Sequence, residues 1–160
     1  MARTGANVDF KQVLPGSVLF ACNLNSVRSS MAESILKKLY GDRIYVDSAG
    51  VAPAEEADPF TAEVLREEGF VPSASGPKSF DDLEETNFDL IVALTPEALA
   101  RAEELTRSSA TDVEFWEVGD PLAAPTGGNR ERRLAAYREL RDRLRAYIER
   151  RFGQAGAVAG

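Results

Sequence analysis

Histidine is absent from this chain, and cysteine occurs once, at position 22. The first absence removes imidazole as catalytic base or metal ligand. With a single cysteine beside it, little is left from which to build a zinc site, so no metal and no cofactor is expected. One cysteine cannot form an internal disulfide, which suits a reducing, cytoplasmic setting. No apolar run approaches the length of a membrane span, and residues 1–10 hold one arginine and no hydrophobic stretch that would read as a secretory signal. Basic excess is also missing. A net charge of −7 and a pI near 4.8 argue against nucleic acid as a partner. Neither an internal repeat nor a second domain is evident. What is present, 44% hydrophobic and 28% charged residues over 160 positions, suffices for one ordinary globular core.

The segments alternate strand, helix, strand, helix, which points to a parallel sheet covered by helices. Val18–Ala21 is a continuous apolar run of the kind buried on both faces. Ser30-Met31-Ala32-Glu33 reads as a capping box opening the first helix, whose apolar face is Met31, Ile35, Leu36 and Leu39. Ile44–Val46 is expected as strand two. A second helix begins at Asp58-Pro59 and closes at Gly69. Residues 71–79, with two prolines, a glycine and three serines, are loop. Leu90–Leu94 is the third strand, and Thr95-Pro96 caps a helix to about Arg107. Val113–Val118 is the fourth strand, ending at Gly119-Asp120-Pro121. A Gly/Pro/Ala-rich loop then leads to the longest helix, Asn129–Phe152, with arginines along a face expected to be solvated. The organisation expected is an extension over 1–16, one domain over 17–152 and a small-residue tail over 153–160.

Cys22 stands where the first apolar run ends, and Arg28-Ser29 follow in a C-x5-R-S pattern. A lone cysteine is most commonly a small buried hydrophobe. Here a strand delivers the thiol, a polar loop turns, and a helix begins beside a guanidinium. A free thiol, with a pKa of about 8.5, is mostly protonated at neutral pH, and a helix N-terminus favours its anion. Ser29 can add a hydroxyl hydrogen bond to the sulfur. Arg28 offers a planar fork to two phosphate oxygens. The backbone N–H groups of Asn23, Leu24, Asn25, Ser26, Val27 and Arg28 can converge on the rest as an anion nest. In an open sheet the ligand lies at the carboxyl ends of the strands, at a switch point, where Cys22 falls. A thiolate that displaces a phosphate ester also needs an acid for the leaving oxygen, and Asp120, at the same sheet edge, is the candidate.

These residues resemble the low-molecular-weight protein tyrosine phosphatase family, whose phosphate loop is typically V-C-x-G-N-x-C-R-S-P. The resemblance covers roughly residues 17–152. It implies a single-domain α/β fold: an open four-stranded parallel sheet in flavodoxin-like order 2-1-3-4, with helices on both faces. By the resemblance Cys22 is the nucleophile, Arg28 the phosphate-binding arginine and Asp120 the general acid. Asn25, Ser29 and Ser48 form the brace, with Ser48, in Asp47-Ser48-Ala49-Gly50, helping Ser29 to hold the asparagine's left-handed turn.

The departures from the pattern carry information. Leu24 replaces the family glycine and would be strained by about 1 kcal/mol or more were its φ positive. Val27 replaces a second loop cysteine that can shield the nucleophile through a disulfide. Ser30 replaces proline. Ser75 stands where a loop-supporting histidine is common, and Lys78 where arginine is. Val51-Ala52-Pro53-Ala54 and Leu122-Ala123-Ala124 hold none of the aromatics that flank the site in tyrosine phosphatases. The expected activity is hydrolysis of a phosphate monoester, small or on a protein, through a phosphocysteine. Two alternatives stand beside it: an arsenate reductase using an external thiol, and a non-catalytic oxyanion-binding module.

Overall fold

A computed structural model describes residues 14–120 and 129–153. The elements in chain order are β1 (Ser17–Cys22), α1 (Arg28–Tyr40), β2 (Tyr45–Gly50), α2 (Pro59–Glu67), a 3-10 turn (Phe80–Asp82), β3 (Leu90–Ala93), α3 (Pro96–Leu105), β4 (Asp112–Phe115) and α4 (Arg130–Phe152). All four strands are parallel and lie in the order β2-β1-β3-β4, as expected. The expected extension and tail, and the Gly/Pro/Ala-rich loop, fall almost wholly outside the described residues.

β1 is central, and its alternation feeds two cores. Val18, Phe20 and Cys22 face a larger cluster with Met31, Ile35 and Leu36 of α1, Val64 and Leu65 of α2, and Leu140 and Leu144 of α4. Leu19 and Ala21 face the other side, where Ala98 and Ala102 of α3 pack with Phe80 and Phe88. Small residues on α3 let it lie close to that face. Trp116 is buried, edge-on to Phe20 at 5.8 Å and stacked on Tyr147 at 5.3 Å.

Several boundaries differ from the sequence reading, each for a physical reason. β2 runs to Gly50 because Asp47 and Ser48, polar but buried, pair in register with Leu19 and Phe20. β4 stops at Phe115: it has a single partner strand, and the chain soon turns at Gly119, whose φ is +84°. α1 starts two residues early, at Arg28, with Val27 as N-cap and no side-chain cap. The expected capping box therefore does not form, and Glu33 instead lies buried and accepts no hydrogen bond from Ser30. The helix starts at Asp58 and Thr95 hold, each side-chain oxygen accepting a backbone N–H two or three residues on.

The arginines of α4 do more than face solvent. Arg138 lays its fork on Glu67 at 2.7 and 2.9 Å. Arg141 is only 6% exposed and donates to the Val64 carbonyl at 2.7 Å and to Glu67 at 3.0 Å. Hydrogen bonds from Arg138, opposed by burial and helped by Arg141, hold the Glu67 carboxyl down at about 2. α2 is thereby pinned to α4 by ion pairs as well as by Val64 and Leu65.

The end of β2 also sets the height of the loop that follows β1. A Cβ on Gly50 would lie 2.6 Å from the Asn23 carbonyl oxygen and 3.0 Å from the Asn25 nitrogen. Only glycine permits this approach. Gly50→Ala is expected to lower stability by about 1–3 kcal/mol, read as a shifted urea midpoint, because backbone rather than a flexible side chain must yield. A carboxyl whose folded pKa is depressed adds stability above its unfolded pKa of about 4.5 and loses it towards about 2. The stability gap between wild type and Glu67→Gln should thus be full at neutral pH and close as pH falls through that window, in denaturation curves taken at each pH.

Candidate active site

Five residues, 23 to 27, join the end of β1 to the first turn of α1, and their carbonyls are all but one tied outward. Val51 donates its N–H to the Cys22 carbonyl, Ala52 to that of Asn23 and Ala54 to that of Leu24. The Thr61 hydroxyl, on α2, donates to the Ser26 carbonyl at 3.0 Å, and the Met31 N–H to that of Val27 at 2.8 Å. The N–H groups of Leu24, Ser26, Val27 and Arg28 make no backbone hydrogen bond among the described residues. A strand-loop-helix segment with outward carbonyls and uncommitted N–H groups is an anion nest at a helix N-terminus.

The turn itself is made by Asn25. Its φ of 54° is the one positive value outside glycine among the described residues. Leu24 is not left-handed, so the strain expected for a leucine at that place does not arise. Asn25 is held on three sides. Its Nδ2 donates to Ser29 Oγ at 2.7 Å and to Ser48 Oγ at 2.9 Å, while its Oδ1 accepts the Lys78 backbone N–H at 2.9 Å. The sulfur of Cys22, 2% exposed, lies 3.1 Å from Ser29 Oγ and accepts the Asn25 N–H at 3.3 Å.

Arg28 and Asp120 meet at the open side. The guanidinium donates to the Gly119 carbonyl at 3.4 Å and stands 3.8 Å from the Asp120 carboxylate. The turn at Gly119 thus carries Asp120 from beyond the end of β4 back to the loop. Asn23 directs its side chain away: Oδ1 accepts the Thr95 hydroxyl at 2.7 Å, which moors the loop to the start of α3. Val27 sends its side chain into the main core. Of these two, only the backbone can serve an anion. Leu24 and Val51, 42% and 40% exposed and tied into one segment by the backbone bonds above, give the rim of the loop an aliphatic character. Residues 122–124 lie outside the described residues.

Sequence reasoning missed four supports. Gly50 allows the close approach described above. Thr61 holds the loop from α2. Lys78 acts through its backbone N–H, while its ammonium pairs with Asp47 at 2.7 Å. Burial pulls that ammonium's pKa down, but the Asp47 hydrogen bond and charge outweigh it, and the net shift is upward. Ser75, at the histidine-like place, bonds to Ser73 and to no other described residue, and from this segment it is the Lys78 N–H that meets the loop. The fourth is Glu33, whose Oε1 accepts the Ser48 hydroxyl at 2.6 Å and whose Oε2 pairs with Lys37 at 2.6 Å. The sequence signal for it was present, but its spacing from Ser30 resembled a helix cap. Among the described residues no group of three or more carboxylate, thiol or imidazole ligands could hold a metal, and no helix is long and apolar enough to cross a membrane.

Known proteins share this sequence and shape. An arsenate reductase of Bacillus licheniformis is 31% identical over 140 residues, covering 88% of this chain and 96% of its own length. A protein-arginine phosphatase of Geobacillus stearothermophilus is 31% identical over 150 residues, covering 86% and 94%. The solved structure of an arsenate reductase in its oxidized state superposes with a TM-score of 0.68 at 22% identity, over 89% of this chain and 98% of its own. The sequence model of the low molecular weight phosphotyrosine protein phosphatases matches residues 17–154, and the chain belongs to that family.

Proposed function

We propose that the protein hydrolyses phosphate esters or phosphoramidates through a phosphocysteine on Cys22. The observation that carries this reading is the sulfur held by Ser29 and Asn25 inside a nest closed by Arg28, with a carboxyl group 3.8 Å from that arginine. Oxyanion binding alone needs neither a thiol nor an acid. In the first step the Cys22 thiolate attacks phosphorus as the bond to the leaving atom breaks. The nest N–H groups and Arg28 carry the charge on the three remaining oxygens. Asp120 gives its proton to the leaving atom. In the second step the Asp120 carboxylate takes a proton from water as that water attacks phosphorus. The P–S bond breaks, and phosphate and the thiolate are released.

The aliphatic rim of Leu24 and Val51 offers no ring against which a phosphotyrosine would stack, a contact worth about 0.5–1.5 kcal/mol. A flexible, non-aromatic phosphorylated side chain suits it better. Phosphoarginine, named by the Geobacillus relative, is of that class, and a protein so modified is the partner proposed. The arsenate reductases among the relatives favour a second reading. With one cysteine it takes a single form. Two electrons would come from Cys22 and an external thiol, which end as a mixed disulfide while arsenate becomes arsenite.

Wild-type protein should hydrolyse para-nitrophenyl phosphate, and Cys22→Ser should bring turnover to background. Asp120→Ala should lower kcat by about 10²- to 10⁴-fold while vanadate still binds. A phosphoarginine peptide should be cleaved with a higher kcat/KM than a phosphotyrosine peptide of the same sequence. Vanadate binding without any turnover would reduce the site to an oxyanion-binding module. Arsenite released from arsenate and glutathione, with no phosphatase activity, would establish the reductase instead.

A further inference from the structure

A threonine inside a helix commonly returns its hydroxyl to a carbonyl three or four residues back. Thr61, only 3% exposed in the first turn of α2, gives its hydrogen to another element: Oγ1 donates to the Ser26 carbonyl at 3.0 Å. The turn that carries it is itself fixed. Asp58 accepts the Phe60 N–H at 2.8 Å on one oxygen and the hydroxyl of Tyr137, on α4, at 2.6 Å on the other.

What this bond controls follows from the planar peptide. In a trans peptide the carbonyl of one residue and the N–H of the next point in opposite directions, so a tied carbonyl fixes the N–H that follows it. Val51, Ala52 and Ala54 in this way aim the N–H groups of Asn23, Leu24 and Asn25, and Met31 aims that of Arg28. All four of these donors are backbone groups. The Ser26–Val27 peptide is the exception, because the donor to its carbonyl among the described residues is a side chain.

We propose that Thr61 is a positioning residue for the oxyanion: it holds the Ser26 carbonyl outward and so keeps the Val27 N–H aimed into the nest. Val27 itself cannot move far. Its side chain is packed in the main core, and its carbonyl is bound to the Met31 N–H. Rotation is left to the peptide ahead of it. A complete reversal would carry the Val27 φ from −128° to a positive value, which a β-branched residue resists. Loss of the hydroxyl therefore produces a tilt. The Ser26 carbonyl, in a residue 7% exposed, loses its partner and turns towards solvent at the open side, where the oxyanion binds. The Val27 N–H turns away with it, and a carbonyl lone pair draws nearer to the bound anion.

The sulfur is outside this coupling. Its contacts are Ser29 Oγ and the Asn25 N–H, and neither belongs to the Ser26–Val27 peptide. Oxyanion affinity and thiol reactivity are thereby separable, and Thr61 serves the first alone.

The inference rests on the reading of the loop as an oxyanion site, and its test uses orthovanadate as the probe, by titration calorimetry. Thr61→Val puts a methyl group where the hydroxyl stood, which keeps the shape and keeps water from taking its place. Its vanadate affinity should fall by about 3- to 10-fold, the effect expected of one lost hydrogen bond. Thr61→Ser, which retains the donor, should return the affinity to within about twofold of the wild type. Two controls separate positioning from damage. The rate of Cys22 alkylation by iodoacetamide should be unchanged in Thr61→Val, the single cysteine giving a signal free of background. Val64→Ala, on the same helix and in the core, should lower the urea midpoint and leave vanadate affinity as it is. Equal affinity in wild type and Thr61→Val would overturn the proposal. So would a changed alkylation rate, a loss that Thr61→Ser does not restore, or one that Val64→Ala reproduces. A wild type that binds no vanadate would overturn the oxyanion reading and the proposal with it, whereas absence of turnover alone would overturn only the hydrolase reading.

Discussion

The left-handed turn at Asn25 is the constraint on which the site depends. A non-glycine residue in that conformation is unfavourable on its own, and asparagine tolerates it better than most. Here the surrounding structure over-determines it. Ser29 comes from α1, Ser48 from β2 and the Lys78 N–H from the segment after α2, so three parts of the fold meet on one amide. The turn in turn lets the Asn25 N–H reach back to the sulfur three residues earlier. The placing of the sulfur is thus a property of the sheet and two flanking segments, not of the loop alone.

The departures from the family pattern sort themselves by this constraint. Leucine is accepted at position 24 because the positive φ is carried by its neighbour, and its side chain goes to the rim. Valine at 27 fills core space that a second thiol would otherwise occupy. At the histidine-like place stands Ser75, and the Asn25 side-chain oxygen is met by the Lys78 backbone N–H, a donor with no charge state to change with pH. Each substitution leaves the sulfur's contacts in place while altering what lies around them: an aliphatic mouth and a thiol with no second cysteine to pair with.

Much of this could be read from the sequence, and the remainder has identifiable causes. β1, the helix starts at Asp58 and Thr95, and the strand order followed from apolar runs, caps and the family resemblance. The loop residues Cys22, Asn25, Arg28 and Ser29 are close in sequence, so spacing alone places them together. Asp120 could be inferred because parallel strands bring their carboxyl ends to one edge. Buried polar groups were harder to read. Asp47 and Ser48 hid the second half of β2, since polar residues do not look like a strand until their partners are known. Glu33 was legible only as a cap, because its true partner is fifteen residues away on another element. Gly50, Thr61 and the Lys78 N–H leave no local pattern at all; their roles are close approaches and single hydrogen bonds that exist only after folding.

The link between α2 and α4 reaches further than stability. Arg130 with Glu63, Arg138 and Arg141 with Glu67, and Arg145 with Glu68 lace the two helices along a largely solvent-facing seam. Thr61, which holds the Ser26 carbonyl, rides on α2. Dissolved salt screens exposed pairs over about 8 Å at physiological strength and over shorter distances as it rises. The ionic medium therefore has a mechanical route into the loop after β1: it tunes how firmly one wall of the nest is clamped, at a distance from the Cys22 sulfur.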